Sequence, residues 1–189
     1  MTKDELVAKL RDIEWEDFEV KAAKSELPKN VWESVSAFTN TSGGWIVLGV
    51  KQSGKTFEIQ GVDNIEKLEQ DFLGTLRGEK FNQRLKATAK RYNIDGKNIL
   101  AFYIPEVDFK PVYYNNPINT FIRMGSGDQR ATEGEIRAMF RDQSFGKKTE
   151  ETIPETSIEM LNLNTLKSYR FALSQTQNLV SLREVDDAE

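Results

Sequence analysis

The segment from Pro28 to Val50 constrains the fold more than any other. Val31, Val35 and Phe38 fall at i, i+4 and i+7, which predicts a helix with one apolar face after Pro28. The pattern stops at Asn40-Thr41-Ser42-Gly43-Gly44, where two glycines permit backbone angles closed to other residues. Residues 45–50, Trp45 to Val50, follow without a charge and read as a buried strand. A helix that turns straight into a buried strand belongs to a sheet with helices packed on it, so the expected class is α+β.

The rest of the chain supplies the partners. Thr2 with Glu5 makes a capping box, so a first helix is expected to about Arg11, with Leu6 and Leu10 one turn apart. Residues 14–22 alternate loosely and read as the first strand, and residues 56–60 as a hairpin partner across Ser53-Gly54. Ile65, Leu68, Phe72 and Leu76 form one stripe of a helix over 65–77. Residues 85–94 and 97–104 flank Asp95-Gly96, a strong hairpin signal. Residues 111–114 are expected to pair with 120–124 across Asn115-Asn116-Pro117. Thr132 with Glu135 opens a helix to about Arg141. Residues 144–157 lack periodicity and read as a linker, and Leu163, Leu166, Phe171 and Leu173 predict a last helix before an acidic, frayed end. The expected organisation is a domain over 1–143, an antiparallel or mixed sheet with helices mainly on one face. A linker and a C-terminal helical extension follow over 144–189.

Composition limits the chemistry. The chain has no cysteine and no histidine, which excludes disulfides, thiolates, imidazole bases and the commonest zinc and copper ligands. Any reaction must use carboxylates, Lys, Tyr or Ser. The longest apolar run, 45–50, falls far short of the ~20 residues of a spanning helix. No signal segment opens the sequence, so a cytoplasmic location and no membrane association are expected. Net charge is −4, but residues 150–189 hold eight acids and three bases, which leaves 22 acids and 23 bases in 1–149. For a polyanion partner the local basic face decides, and the global charge does not.

Gly49-Val50-Lys51-Gln52-Ser53-Gly54-Lys55-Thr56 matches the phosphate-loop pattern G-x-x-x-x-G-K-[ST]. A working phosphate loop opens a helix whose N-terminus faces the phosphates. Phe57, Ile59, Gly61 and Val62 read as strand instead, so a hairpin turn is expected and ATP is not. Glu14, Glu16, Asp17 and Glu19 crowd the first strand, with Lys21 just beyond. Residues two apart share a face there, so such acids either converge on a hard divalent metal or form a solvated edge.

These residues carry a family resemblance. Glu14-x4-Glu19-Val20-Lys21, then Ser36-Ala37-Phe38-Thr39-Asn40-Thr41-Ser42-Gly43-Gly44, then Ile46-Val47-Leu48-Gly49-Val50 resemble the AlbA_2 domain of Schlafen-related proteins. Gly61-Val62, Lys110-Pro111-Val112-Tyr113 and Phe121-Ile122-Arg123-Met124-Gly125-Ser126 continue it in order, with Glu133 to Phe140 as a trailing helix. The resemblance implies a nucleic-acid-binding domain, and gives Asn40, Gly43, Gly44 and Gly49 the place of motif residues. In some Schlafen proteins a three-carboxylate site holding Mg²⁺ or Mn²⁺ cleaves RNA. Two of those acids correspond to Glu14 and Glu19, with Lys21 beside them, and the third falls where this chain has Lys51 and Gln52. That departure favours binding without cleavage, and no cofactor is required for it. Trp15 and Val20 also replace the family's usual Ser and Phe.

Arg77, Lys80, Arg84, Lys86, Lys90 and Arg91 lie within fifteen residues against one acid, Glu79. On a strand, Lys86, Thr88 and Lys90 share one face and Leu85, Ala87 and Ala89 the other, a basic stripe with an apolar back. Lys21, Lys51, Lys55, Arg123 and Arg130 are candidates to extend it, and Tyr92, Tyr113 and Tyr114 to stack bases where exposed. The expected function is DNA or RNA binding, regulatory and non-catalytic. The alternatives are a metal-dependent endoribonuclease using Glu14 and Glu19, and a protein-interaction module. A homodimer stays open.

Overall fold

The computed structural model describes residues 1–10, 17–54, 56–150 and 162–174. The chain divides into two compact units, Met1–Lys147 and Lys148–Glu189.

The first unit is built on a four-stranded sheet in the order β1-β2-β6-β5. These strands are β1 (Phe18–Lys21), β2 (Gly44–Leu48), β5 (Thr88–Ile94) and β6 (Lys97–Ile104). β1 runs parallel to β2, while β2–β6 and β6–β5 are antiparallel, so the sheet is mixed. Asp95 and Gly96 both take positive φ, 51° and 78°, as the tight β5–β6 turn requires. Two separate hairpins complete the strands: β3 (Val50–Ser53) with β4 (Thr56–Ile59), and β7 (Phe121–Met124) with β8 (Gly127–Arg130).

Alternation along the strands divides the core between the two faces. Ile46, Leu48, Leu100, Phe102 and Ile104 point towards helices α2 (Val31–Asn40) and α3 (Ile65–Arg77). Phe72 of α3 stacks on Phe102 at 3.9 Å, and both rings are fully buried. Burial of each contributes about 2 kcal/mol. Asn64 caps α3 by accepting from the Lys67 amide at 2.9 Å, and Leu68, Phe72 and Leu76 are its buried stripe. Val47, Ala101, Ile99 and Phe18 point the other way, onto Leu6 of α1 (Lys3–Lys9) and onto Val50, Phe57 and Ile59 of the β3–β4 hairpin. The Thr2–Glu5 capping box forms as expected.

The α+β class holds, with α2 and α3 on one face and α1 alone on the other. Several boundaries differ from the sequence reading. The single strand expected over 45–50 breaks at Gly49, φ +90°, into β2 of the main sheet and β3 of the hairpin. The ladder of β5 starts at Thr88, because the Leu85 amide turns to the Leu76 carbonyl at the end of α3, 2.9 Å away, and not to a neighbouring strand. Residues 111–114 form no ladder with β7 beyond an isolated Tyr113–Thr120 bridge just before it, and the strand partner of β7 is β8. Gly-Asp-Gln-Arg in β8 has no apolar residue for periodicity to detect. Helix α4 (Glu133–Glu150) runs past Arg141, where residues 142–150 carry one large apolar residue, Phe145, too few for periodicity to mark a helix. In the second unit α5 (Leu163–Ser174) starts at Asn162, whose side chain accepts from the Asn164 and Thr165 amides at 3.1 Å. Residues 175–189, expected to fray, lie outside the described residues, as do 151–157 of the expected linker. Among the described residues no helix is long and apolar enough to cross a membrane.

Candidate nucleic-acid interface

β5 is an edge strand, and together with the segment 84–87 that leads into it carries the basic stripe. Ala87 and Ala89 pack on the α2–α3 core, while Lys86, Thr88 and Lys90 are exposed on the opposite face, the one that α1 shares. Arg84 is exposed just before them. Arg84 and Lys86 form no ion pair or side-chain hydrogen bond with any described residue, so both charges are uncommitted. Lys90 is partly engaged: its ammonium donates to the Met1 carbonyl at 3.2 Å and stands 5.7 Å from the Trp45 ring centre.

Other cations of the cluster are spent elsewhere. Arg91 points to the α3 face, where it binds Glu69 at 2.8 Å and Glu66 at 3.1 Å. The Glu69 hydrogen bond holds its guanidinium pKa above the ordinary arginine value. Lys80 lies over the rings of Trp32 and Tyr114, at 5.4 and 5.9 Å. Arg130 donates to the Ile118 carbonyl and to Asn119, and stacks 4.8 Å above Phe121. Lys51 is exposed on β3 with Glu58 directly across the hairpin. Lys55 lies outside the described residues.

The acidic candidates form a separate arrangement on the α2 face. Glu19 accepts from Lys21 at 2.8 Å and from Arg123 at 2.9 Å. The same guanidinium binds Asp128 at 2.7 Å and the Phe18 carbonyl at 3.0 Å. Ser34 of α2 donates to the second Asp128 oxygen at 2.6 Å. The Arg123 side chain is 4% exposed and that of Lys21 10%, so two buried cations hold one carboxylate. This network ties β1 to the β7–β8 hairpin and to α2. Glu14 lies outside the described residues, and among those described no three acids cluster as a metal would need.

The glycine-rich candidates serve the backbone. Gly49 takes φ +90°, donates to the Lys21 carbonyl and accepts from the Gln60 and Gly61 amides, which starts the β3–β4 hairpin. A strand therefore follows Gly54-Lys55-Thr56 in place of the helix that a phosphate loop opens. Asn40, 4% exposed, donates to the Val112 and Phe121 carbonyls at 2.8 and 3.0 Å and accepts from the Val112 amide at 2.8 Å. It thereby satisfies buried backbone groups of two segments that lie beside α2. Gly43 takes φ +74°, and a Cβ on Gly44 would lie 2.3 Å from the Phe38 ring.

Of the tyrosines, Tyr92 donates to the Met1 carbonyl at 2.6 Å, and Tyr114 stacks on Phe121 at 6.1 Å. Burial raises both hydroxyl pKa values. Tyr113 is partly buried against Phe140, 6.4 Å away. The aromatic pair that sequence reading missed is Trp45 with Tyr103, 5.3 Å apart on the β5 side of the same face. Trp45 reads as buried within its apolar run, yet it is only half-buried, and Tyr103 is 37% exposed. Only the cross-strand register reveals that they meet.

The solved N-terminal domain of a putative ATP-dependent DNA helicase RecG-related protein from Nitrosomonas europaea is similar, at 28% identity and TM-score 0.49. The match covers 68% of this chain and 90% of that one. The DIP2311 protein from Corynebacterium diphtheriae matches at 20% identity and TM-score 0.43, over 67% of this chain and 24% of that one. No curated protein matches. The Schlafen, AlbA_2 family profile matches residues 14–132, which include the helix, the double glycine, the hairpin and the β5 edge. By that match the chain belongs to the Schlafen AlbA_2 family.

Proposed function

We propose that this protein binds nucleic acid through the exposed edge of β5 and does not cleave it. The observation that carries the reading is the row Arg84, Lys86 and Lys90, exposed along edge strand β5 and the segment that leads into it, with the first two charges unpaired among the described residues. Such a row meets phosphates without first breaking internal ion pairs, and counterion release then supplies the affinity. Lys51 joins the set at the hairpin, as an exposed cation. Arg123 and Lys21 are left out, because both are committed to Glu19 on the opposite face of the sheet. Arg130 is left out because its guanidinium caps the turn at Ile118 and Asn119.

The same ion pairs argue against hydrolysis. A metal-bound carboxylate must give its lone pairs to the ion. Here both Glu19 oxygens accept from buried cations, so metal entry means displacing Lys21 or Arg123. The test is to incubate the full chain with labelled transfer RNA, single-stranded DNA and duplex DNA, with and without Mn²⁺. Shifted but intact bands are expected, weakened in Arg84→Ala and Lys86→Ala. Mn²⁺-dependent cleavage that disappears in Glu19→Gln would overturn the non-catalytic reading.

A further inference from the structure

The β5 edge has an aromatic neighbour that phosphate contacts leave unused. Thr88, Tyr103, Trp45 and Phe18 stand in one cross-strand row, each paired in register with the next. The row is closed at its β1 end, where Phe18 is 6% exposed and the Lys9 ammonium stands 5.6 Å over its ring. It opens towards β5: Trp45 is half-buried, Tyr103 is 37% exposed, and Thr88 is too small to cover a phenol ring. Trp45 supports Tyr103 from the inner side, with ring planes inclined at 51°. The Tyr103 hydroxyl bonds to no described residue, and it lies close to Gly43, where a Cβ would stand 3.3 Å from it.

A single exposed ring is ordinary on a protein surface. The flanking charge is what distinguishes this one. Lys86, just before β5, and Lys90 within it lie two residues either side of Thr88, the register partner of Tyr103. A partly exposed ring between two cations is the combination that single-strand binders use, with a base stacked on the ring and the backbone held by charge. Bases in a duplex are already stacked on one another, so such a ring has little to offer a duplex.

We infer that Tyr103, backed by Trp45, is a base-stacking platform, and that the ligand of the β5 edge is single-stranded nucleic acid. This rests on the phosphate-binding reading above. The test measures binding of the full chain to labelled oligothymidylate, oligouridylate and a blunt DNA duplex, for the wild type, Tyr103→Ala, Tyr103→Phe and Lys86→Ala. Stacking contributes enough per base that Tyr103→Ala should lose about 5- to 150-fold on the single strands. Duplex binding should change less than about 2-fold, and Tyr103→Phe should recover the single strands. The two single strands distinguish DNA from RNA.

Unchanged single-strand affinity in a folded Tyr103→Ala variant, with affinity lost in Lys86→Ala, would overturn the platform and leave the phosphate reading standing. A wild type that binds none of the three ligands at low salt would overturn both. A protein retained after nuclease treatment and released by Tyr103→Ala would assign the ring to a protein partner and likewise overturn the platform.

Discussion

At the scale of single residues, the family motif is a packing device. Gly44 sits where a methyl group would meet the Phe38 ring at 2.3 Å, and Phe38 is fully buried between helix and sheet, with nowhere to retreat. Gly44→Ala is therefore expected to cost about 1–3 kcal/mol, read as a lower urea midpoint at unchanged slope. An unchanged midpoint would mean that the helix shifts freely on the sheet. The need for glycine was legible in the sequence, because two glycines ended an amphipathic pattern. The reason for Gly44 was not, because it depends on where the Phe38 ring lies. Asn40 is similar: the sequence marks it as a motif residue, and only the tertiary structure shows it satisfying the backbone of Val112 and Phe121.

At the scale of elements, charge holds the second hairpin in place. Arg123 on β7 joins Glu19 on β1 to Asp128 on β8, and Ser34 fixes Asp128 from α2. Removing one partner of a buried ion pair leaves the other charges uncompensated. Arg123→Ala should thus lower stability by about 3 kcal/mol while leaving the salt dependence of nucleic-acid binding unchanged. A variant of normal stability with weakened binding would return Arg123 to the interface. Sequence reading had grouped Glu19, Lys21 and Arg123 with site chemistry, because spacing along one strand cannot show a cation arriving from a distant hairpin. Helix α4 gives a pH test. The Thr132 backbone amide, helped by its hydroxyl, holds the Glu135 carboxyl below the ordinary glutamate range. A lowered folded-state pKa contributes stability above the unfolded value and loses it as pH falls through the folded value. Between roughly pH 5 and pH 3 the wild type should therefore lose more stability than Glu135→Gln, measured by thermal unfolding. Parallel loss in the two would contradict the cap.

At the scale of the whole molecule, the sheet separates two kinds of charge. The Glu19–Arg123–Asp128 network lies on the α2 side, while Arg84 and Lys86, unpaired among the described residues, lie by β5 near the partly exposed Tyr103. The α+β class, both capping boxes and the alternating basic stripe were legible in the sequence, because each depends on local spacing. The division of cations into committed and free was not, since it depends on which acids the folded chain brings near. The net negative charge of the chain is no obstacle to a polyanion partner, because a field is felt at the edge that meets it. Salt dependence tests the central claim most directly: single-strand and duplex affinity of the full chain across a salt titration, beside the Arg84→Ala/Lys86→Ala double variant. The wild type should weaken linearly in log salt, and each cation removed should lower the duplex slope by about 1. A flat wild-type dependence, or a double variant with the wild-type slope, would contradict phosphate binding at the β5 edge.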